Sequence, residues 1–66
     1  MSPQRARELL DLRTTIGNVS MRIIDCGDIR EHMTDAENAA VLAKWRQMPG
    51  WTCYADALGR IARDAA

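Results

Sequence analysis

The chain has 66 residues, and nine Lys and Arg balance nine Asp and Glu, so the formal net charge is zero. At that length a single core leaves little net stability and there is no room for a deep substrate cleft, while the cancelled charge argues against generic nucleic-acid binding, which needs a basic face to release counterions. No stretch approaches the roughly eighteen apolar residues of a membrane span, and Met1-Ser2-Pro3-Gln4 lacks the basic start of a signal peptide, so a cytoplasmic protein with no membrane partner and with reduced Cys26 and Cys53 is expected.

Taken in order, Ser2-Pro3 reads as a helix opening, with Ser2 as N-cap and Pro3 at the first helical position, where its missing N–H costs nothing. Ala6, Leu9, Leu10, Leu12 and Ile16 form an apolar stripe flanked by Arg5, Arg7, Glu8, Asp11 and Arg13, which predicts a first helix to about Thr15 or Ile16, ended by Gly17-Asn18. Val19 to Asp28 supports two readings. Val19, Met21 and Ile23 alternate as in a strand, whereas Val19, Ile23 and Cys26 with Ile24 fit a helical turn started by Ser20 and ended by Gly27. The helix is preferred because a lone strand would leave its ladder groups unpaired. Asp28 then caps a further turn through Ile29, Arg30, Glu31 and His32.

Thr34-Asp35-Ala36-Glu37 has the form of a capping box and predicts a helix from about Thr34 to Met48. Asn38, Val41, Leu42, Trp45 and Met48 share one face of it, Ala36, Ala39, Ala40 and Ala43 fill a stripe of small side chains, and Glu37, Lys44 and Gln47 share a solvated face. Met48-Pro49-Gly50 stops that helix, because the residue before proline avoids the α region and Gly50 tolerates a positive φ. Thr52 is expected to cap a last helix whose apolar stripe is Tyr54, Leu58, Ile61 and Ala65, with Ala57 and Ala62 beside it. The pairs Arg7–Asp11, Asp56–Arg60 and Arg60–Asp64 lie four residues apart. The predicted architecture is all-α: one helical domain over residues 1–66, a bundle of three to four short helices, with a C-terminal helical hairpin around Pro49-Gly50. Trp45 and Trp51 are expected near its closed end as core anchors, and for Trp51 the rival reading is an exposed contact.

Catalytic, cofactor and metal sites are not expected. Cys26, His32 and Cys53, with Asp25 or Asp28, are ligand types for zinc, yet they lack the close pairs of a structural zinc site. The two cysteines read better as small buried hydrophobes. A nucleophilic Cys26–His32 pair would lack an orienting third residue and an oxyanion site. The apolar side chains exceed what three short helices can hide, which points to a non-enzymatic protein-interaction module that regulates or inhibits a larger protein by helix-face docking and associates with itself as a homodimer. This size class includes accessory proteins of bacteriophages and mobile elements. Met21, Met33, Trp45, Met48, Trp51 and Tyr54 are the candidate partner-binding residues, methionines because they adapt to contact surfaces and aromatics because they anchor them. The alternative is a helix-turn-helix DNA-binding regulator, in which Leu12, Ile16, Gly17 and Ile23 build the unit and Ser20 opens a recognition helix carrying Met21 and Arg22. Arg13 before the turn, and Asp25 and Asp28 near the groove, count against it.

Overall fold

The computed structural model describes residues 1–64. Four α-helices and one two-stranded antiparallel sheet follow each other in the order α1 (Pro3–Asp11), β1 (Arg13–Ile16), β2 (Val19–Arg22), α2 (Ile23–Cys26), a 3-10 turn (Ile29–His32), α3 (Asp35–Arg46) and α4 (Tyr54–Arg63). The all-α expectation is therefore wrong. The protein is an α+β mixture, and the correction lies between Leu12 and Arg22.

α1 starts as expected, with the Ser2 hydroxyl accepting from the Arg5 N–H and Pro3 in the first turn. It stops at Asp11, short of Thr15. Thr14, Thr15 and Ile16 are three consecutive β-branched residues, which lose side-chain freedom in a helix and fit a pleated surface. Gly17, at φ +62°, takes a backbone conformation that a side chain disfavours, while Asn18 keeps a negative φ. One positive φ at the first central residue of a two-residue loop marks a type II′ turn, whose twist suits a hairpin. The strands pair in the register Arg13↔Arg22, Thr14↔Met21, Thr15↔Ser20 and Ile16↔Val19. The partner strand of Val19–Arg22 is Arg13–Ile16, the end of the expected first helix. Ser20, Met21 and Arg22 thus lie in β2, and the recognition helix that a helix-turn-helix unit would open at Ser20 is not a helix.

The helical turn expected in this stretch is shorter and later, over Ile23–Cys26, and Gly27 follows it. Asp28 caps the next turn, its carboxylate accepting from the Arg30 N–H at 3.0 Å. The capping box of α3 is complete: the Glu37 N–H donates to the Thr34 hydroxyl at 3.1 Å and the Thr34 N–H to the Glu37 carboxylate at 3.0 Å. α3 ends at Arg46, two residues early, and Gly50 does not use a positive φ. The cap of α4 is Cys53, whose N–H donates to Asp56 at 2.9 Å; the Thr52 hydroxyl instead donates to the Pro49 carbonyl at 2.7 Å. Ala65 lies outside the described residues.

The core is a single cluster of Ala6 and Leu9 from α1, Ile29, Val41 from α3, and Ala57, Leu58, Ile61 and Ala62 from α4. α4 packs against both α1 and α3, the latter contact forming the expected C-terminal helical hairpin. Polar ties close the outside of this arrangement. Arg7 of α1 donates to the Ala62 carbonyl at 2.9 Å, satisfying a last-turn acceptor of α4. Arg5 bonds Glu37 from Nε at 2.7 Å and the His32 carbonyl from Nη2 at 3.1 Å, joining α1 to the start of α3. Lys44 meets Asp64 at 2.9 Å. Glu37 and Lys44 are therefore bridges between helices and not members of a common solvated face, and Arg7 pairs with a carbonyl in place of Asp11. Of the three expected four-residue pairs, the described residues show Arg60–Asp64, at 3.3 Å.

Two outcomes follow. Leu58 is fully buried where α4 meets its neighbours, so Leu58→Ala should cost about 2–5 kcal/mol, a large part of the stability of so small a fold, and chemical denaturation will measure it. Glu37 sets the second. Its hydrogen bonds from Arg5 and then from the Thr34 N–H hold the carboxyl at about 2, below its ordinary 4.5. A carboxyl whose pKa is lower in the folded state stabilises the fold fully above the unfolded value and stops doing so as pH falls through the folded one. Melting temperature should therefore drop as pH falls from 4.5 towards 2, in the same sense as for Asp28, Asp56 and Asp64, whose carboxyls are also held low. Glu37→Gln should flatten that slope.

Candidate functional site

The α3–α4 connection brings the aromatic residues to one end of the molecule. Trp45, in the last turn of α3, donates from Nε1 to the Thr52 carbonyl at 3.0 Å, which fixes its ring across the corner. The rings of Trp45 and Tyr54 meet edge to face, centroids 6.1 Å apart at 88°, a favourable arrangement for ring quadrupoles. Tyr54 reaches on into α3: its hydroxyl donates to Asn38 Oδ1 at 2.8 Å and lies 3.4 Å from Met33 Sδ. Burial pushes the Tyr54 hydroxyl above its ordinary value, so it remains a proton donor at neutral pH.

Beside this wall lies an open groove of about 480 Å³. Ile24, Ile29 and Leu42 supply apolar lining, Trp45 and Tyr54 the aromatic side, and Asp28, Arg30, Asn38 and Cys53 polar groups. The Asp28 carboxylate accepts from Arg30 Nε and Nη2, each at 3.0 Å, and that pairing, followed by the Arg30 backbone N–H, holds its carboxyl below the usual range. The charges at the rim are thus spent on each other. Asn38 Oδ1 is taken by Tyr54, while its amide nitrogen has no partner among the described residues. The arrangement can seat an apolar side chain and offer one amide donor to a neighbouring carbonyl.

Of the six residues singled out in the sequence, the fold gathers three: Trp45 and Tyr54 line the groove and Met33 touches the Tyr54 hydroxyl. Trp51 sits in the turn beside them, 99% exposed. Its core reading is overturned, and Trp45, at 36%, is only partly covered. Met48 packs partly buried against the core, and Met21 lies apart on β2. Cys26 and Cys53 are both exposed free thiols and not buried hydrophobes; the Cys26 thiol donates to the Arg22 carbonyl at 3.3 Å. Among the described residues no three His, Cys, Asp or Glu side chains come close enough together to hold a metal ion. Sequence reasoning missed Ile24 and Ile29 as neighbours of the aromatic pair, and it set Asn38 on the Trp45 face without giving it the bond to Tyr54. The polar Asn38 on an otherwise apolar face of α3 was the available signal, since a polar group at such a position needs a partner.

Comparison with protein-family models, with curated proteins and with solved structures gives no match to this chain. No described helix is long and apolar enough to cross a membrane.

Removing one hydroxyl tests how the groove wall is held. Tyr54→Phe deletes the bond to Asn38 and should lower stability by about 1 kcal/mol while leaving the helical circular dichroism unchanged.

Proposed function

We propose that the protein is a non-enzymatic interaction module that regulates a larger protein by occupying its surface, and that the contact is made by the α3–α4 corner: Trp51 as anchor, with Trp45, Tyr54 and the groove beside them. The observation that carries this reading is the full exposure of Trp51. A large aromatic side chain gains nothing from water and is the residue type that most often dominates binding energy when a partner desolvates it. An exposed indole next to an apolar groove supplies both halves of a contact, a knob and a recess. The rim favours an uncharged ligand segment, because Arg30 and Asp28 already neutralise each other. Recognition by an apolar helix or loop of the partner fits this surface, as in helix-in-groove docking.

Trp51→Ala separates contact from stability. The variant should melt with the parent, within about 0.5 kcal/mol, because an exposed side chain away from caps and core contributes little. Affinity capture from the native host's lysate, run side by side, should retain a protein with the parent chain that the variant loses. Equal retention by both would remove the corner from the reading.

A further inference from the structure

The β-hairpin has two unequal edges. In an antiparallel pair, residues alternate between positions whose N–H and C=O face the partner strand and positions whose groups face outward. The bond from the Ile23 N–H to the Leu12 carbonyl, at 2.9 Å, sets the phase. Thr14↔Met21 and Ile16↔Val19 face inward, so the backbone groups of Arg13 and Thr15 on β1, and of Ser20 and Arg22 on β2, point away from the hairpin. On β2 both outward carbonyls are already used. Arg13 Nη2 donates to the Ser20 carbonyl at 3.1 Å while Nε holds the Ser20 hydroxyl at 2.9 Å, and the Cys26 thiol takes the Arg22 carbonyl. On β1 the outward N–H and C=O groups of Arg13 and Thr15 have no hydrogen-bond partner among the described residues. The β2 edge therefore keeps only the N–H groups of Ser20 and Arg22 and offers no free acceptor, whereas the β1 edge presents both donors and acceptors, as a pairing strand needs.

We propose that the open edge of β1 pairs with β1 of a second copy of this chain, antiparallel across a two-fold axis, with Arg13 opposite the second copy's Thr15 and Thr14 opposite its own counterpart. The product is a four-stranded sheet in the order β2-β1-β1-β2. A second copy is the occupant because the edge is complementary to itself. In this register every outward N–H and C=O of both β1 strands finds a partner. Sliding by one position of the two-fold in one direction sets Arg13 against Arg13, like charges directly opposite; sliding in the other leaves Arg13 against Gly17 of the turn. The same register places Ile16, 54% exposed at the hairpin tip, opposite Leu12 of the second copy, which packs against that copy's core. Leu12, Thr14 and Ile16 share one face of the strand, so pairing covers apolar surface that a lone hairpin leaves in water. A two-stranded hairpin is marginal by itself, and added strands stabilise it. This surface is separate from the groove, which is built from α2, the 3-10 turn, α3 and the start of α4, and neither needs the other.

The test uses sedimentation and cross-linking together. The full chain should pass from monomer to dimer between micromolar and millimolar concentration. Thr15→Pro removes an outward donor while sparing the hairpin's own bonds, and should weaken association at least roughly tenfold. Ser20→Pro on the β2 edge and Trp51→Ala should leave association unchanged. In a Cys26→Ser, Cys53→Ser background, Thr14→Cys should oxidise to a covalent dimer, because facing positions of that kind lie about 4.5 Å apart at Cα, within disulfide reach. Thr15→Cys, on the opposite face, should cross-link at least roughly tenfold more slowly. A monomer across the whole range, equal cross-linking at the two positions, or a dimer that survives Thr15→Pro and is lost with Trp51→Ala would each overturn the proposal. Should Thr15→Pro unfold the chain, the contrast between Thr14→Cys and Thr15→Cys decides alone.

Discussion

Everything in this fold leans on the face that α4 turns inward. Ala57, Leu58, Ile61 and Ala62 are all buried there, and they are met by Ala6 and Leu9 on one side and Val41 on the other. With no Phe in the chain, large rings are not available to fill space between helices. Close approach does the work in their stead: alanine on both sides lets helix backbones come near enough for Leu9, Val41 and Leu58 to interdigitate. So thin a core tolerates little misalignment, which gives the peripheral polar contacts their importance. Arg5 and Arg7 tie α1 to the start of α3 and to the last turn of α4, and Lys44 ties α3 to Asp64 at the C-cap of α4.

How much of this was legible in the residues depended on how local the cause was. Ser2-Pro3, the Thr34 and Glu37 box and Asp28 act within a single turn, and Leu58 and Ile61 of the α4 stripe within a single helix, and each has in the structure the role its residue type implies. The hairpin was not, because two local signals competed over the same residues. Leu9, Leu12 and Ile16 continue a helical stripe, and Gly17-Asn18 reads equally well as a helix stop or as a hairpin loop. The run of Thr14, Thr15 and Ile16 carried the deciding information, and the strand it had to pair with was the segment left ambiguous after the turn. Once α1 was carried through to Ile16, Val19–Arg22 had nothing to pair with and was misread in turn.

The candidate site was legible in part for the same reason. Aromatic and methionine residues near Pro49-Gly50 stood out by type, and the corner does bring Trp45 and Tyr54 together with Met33. What composition could not supply was depth. Trp45 and Trp51 are six positions apart around one turn, and one is braced by a hydrogen bond to Thr52 while the other has only solvent about it. The same holds for Cys26 and Cys53, whose residue type favours burial and whose positions at element ends put them on the surface. Placement in a turn, for Trp51, and at element ends, for Cys26 and Cys53, overrode side-chain preference.

The contrast between the two indoles also equips the molecule with its own optical readout. Trp45 lies against the edge of a phenol ring and is tethered to a carbonyl, so its emission belongs to a fixed, partly apolar setting; Trp51 should emit as indole does in bulk water. The red-shifted component therefore reports on the exposed tip of the corner and the other on its braced wall, so the two halves of the surface can be followed separately with no dye attached.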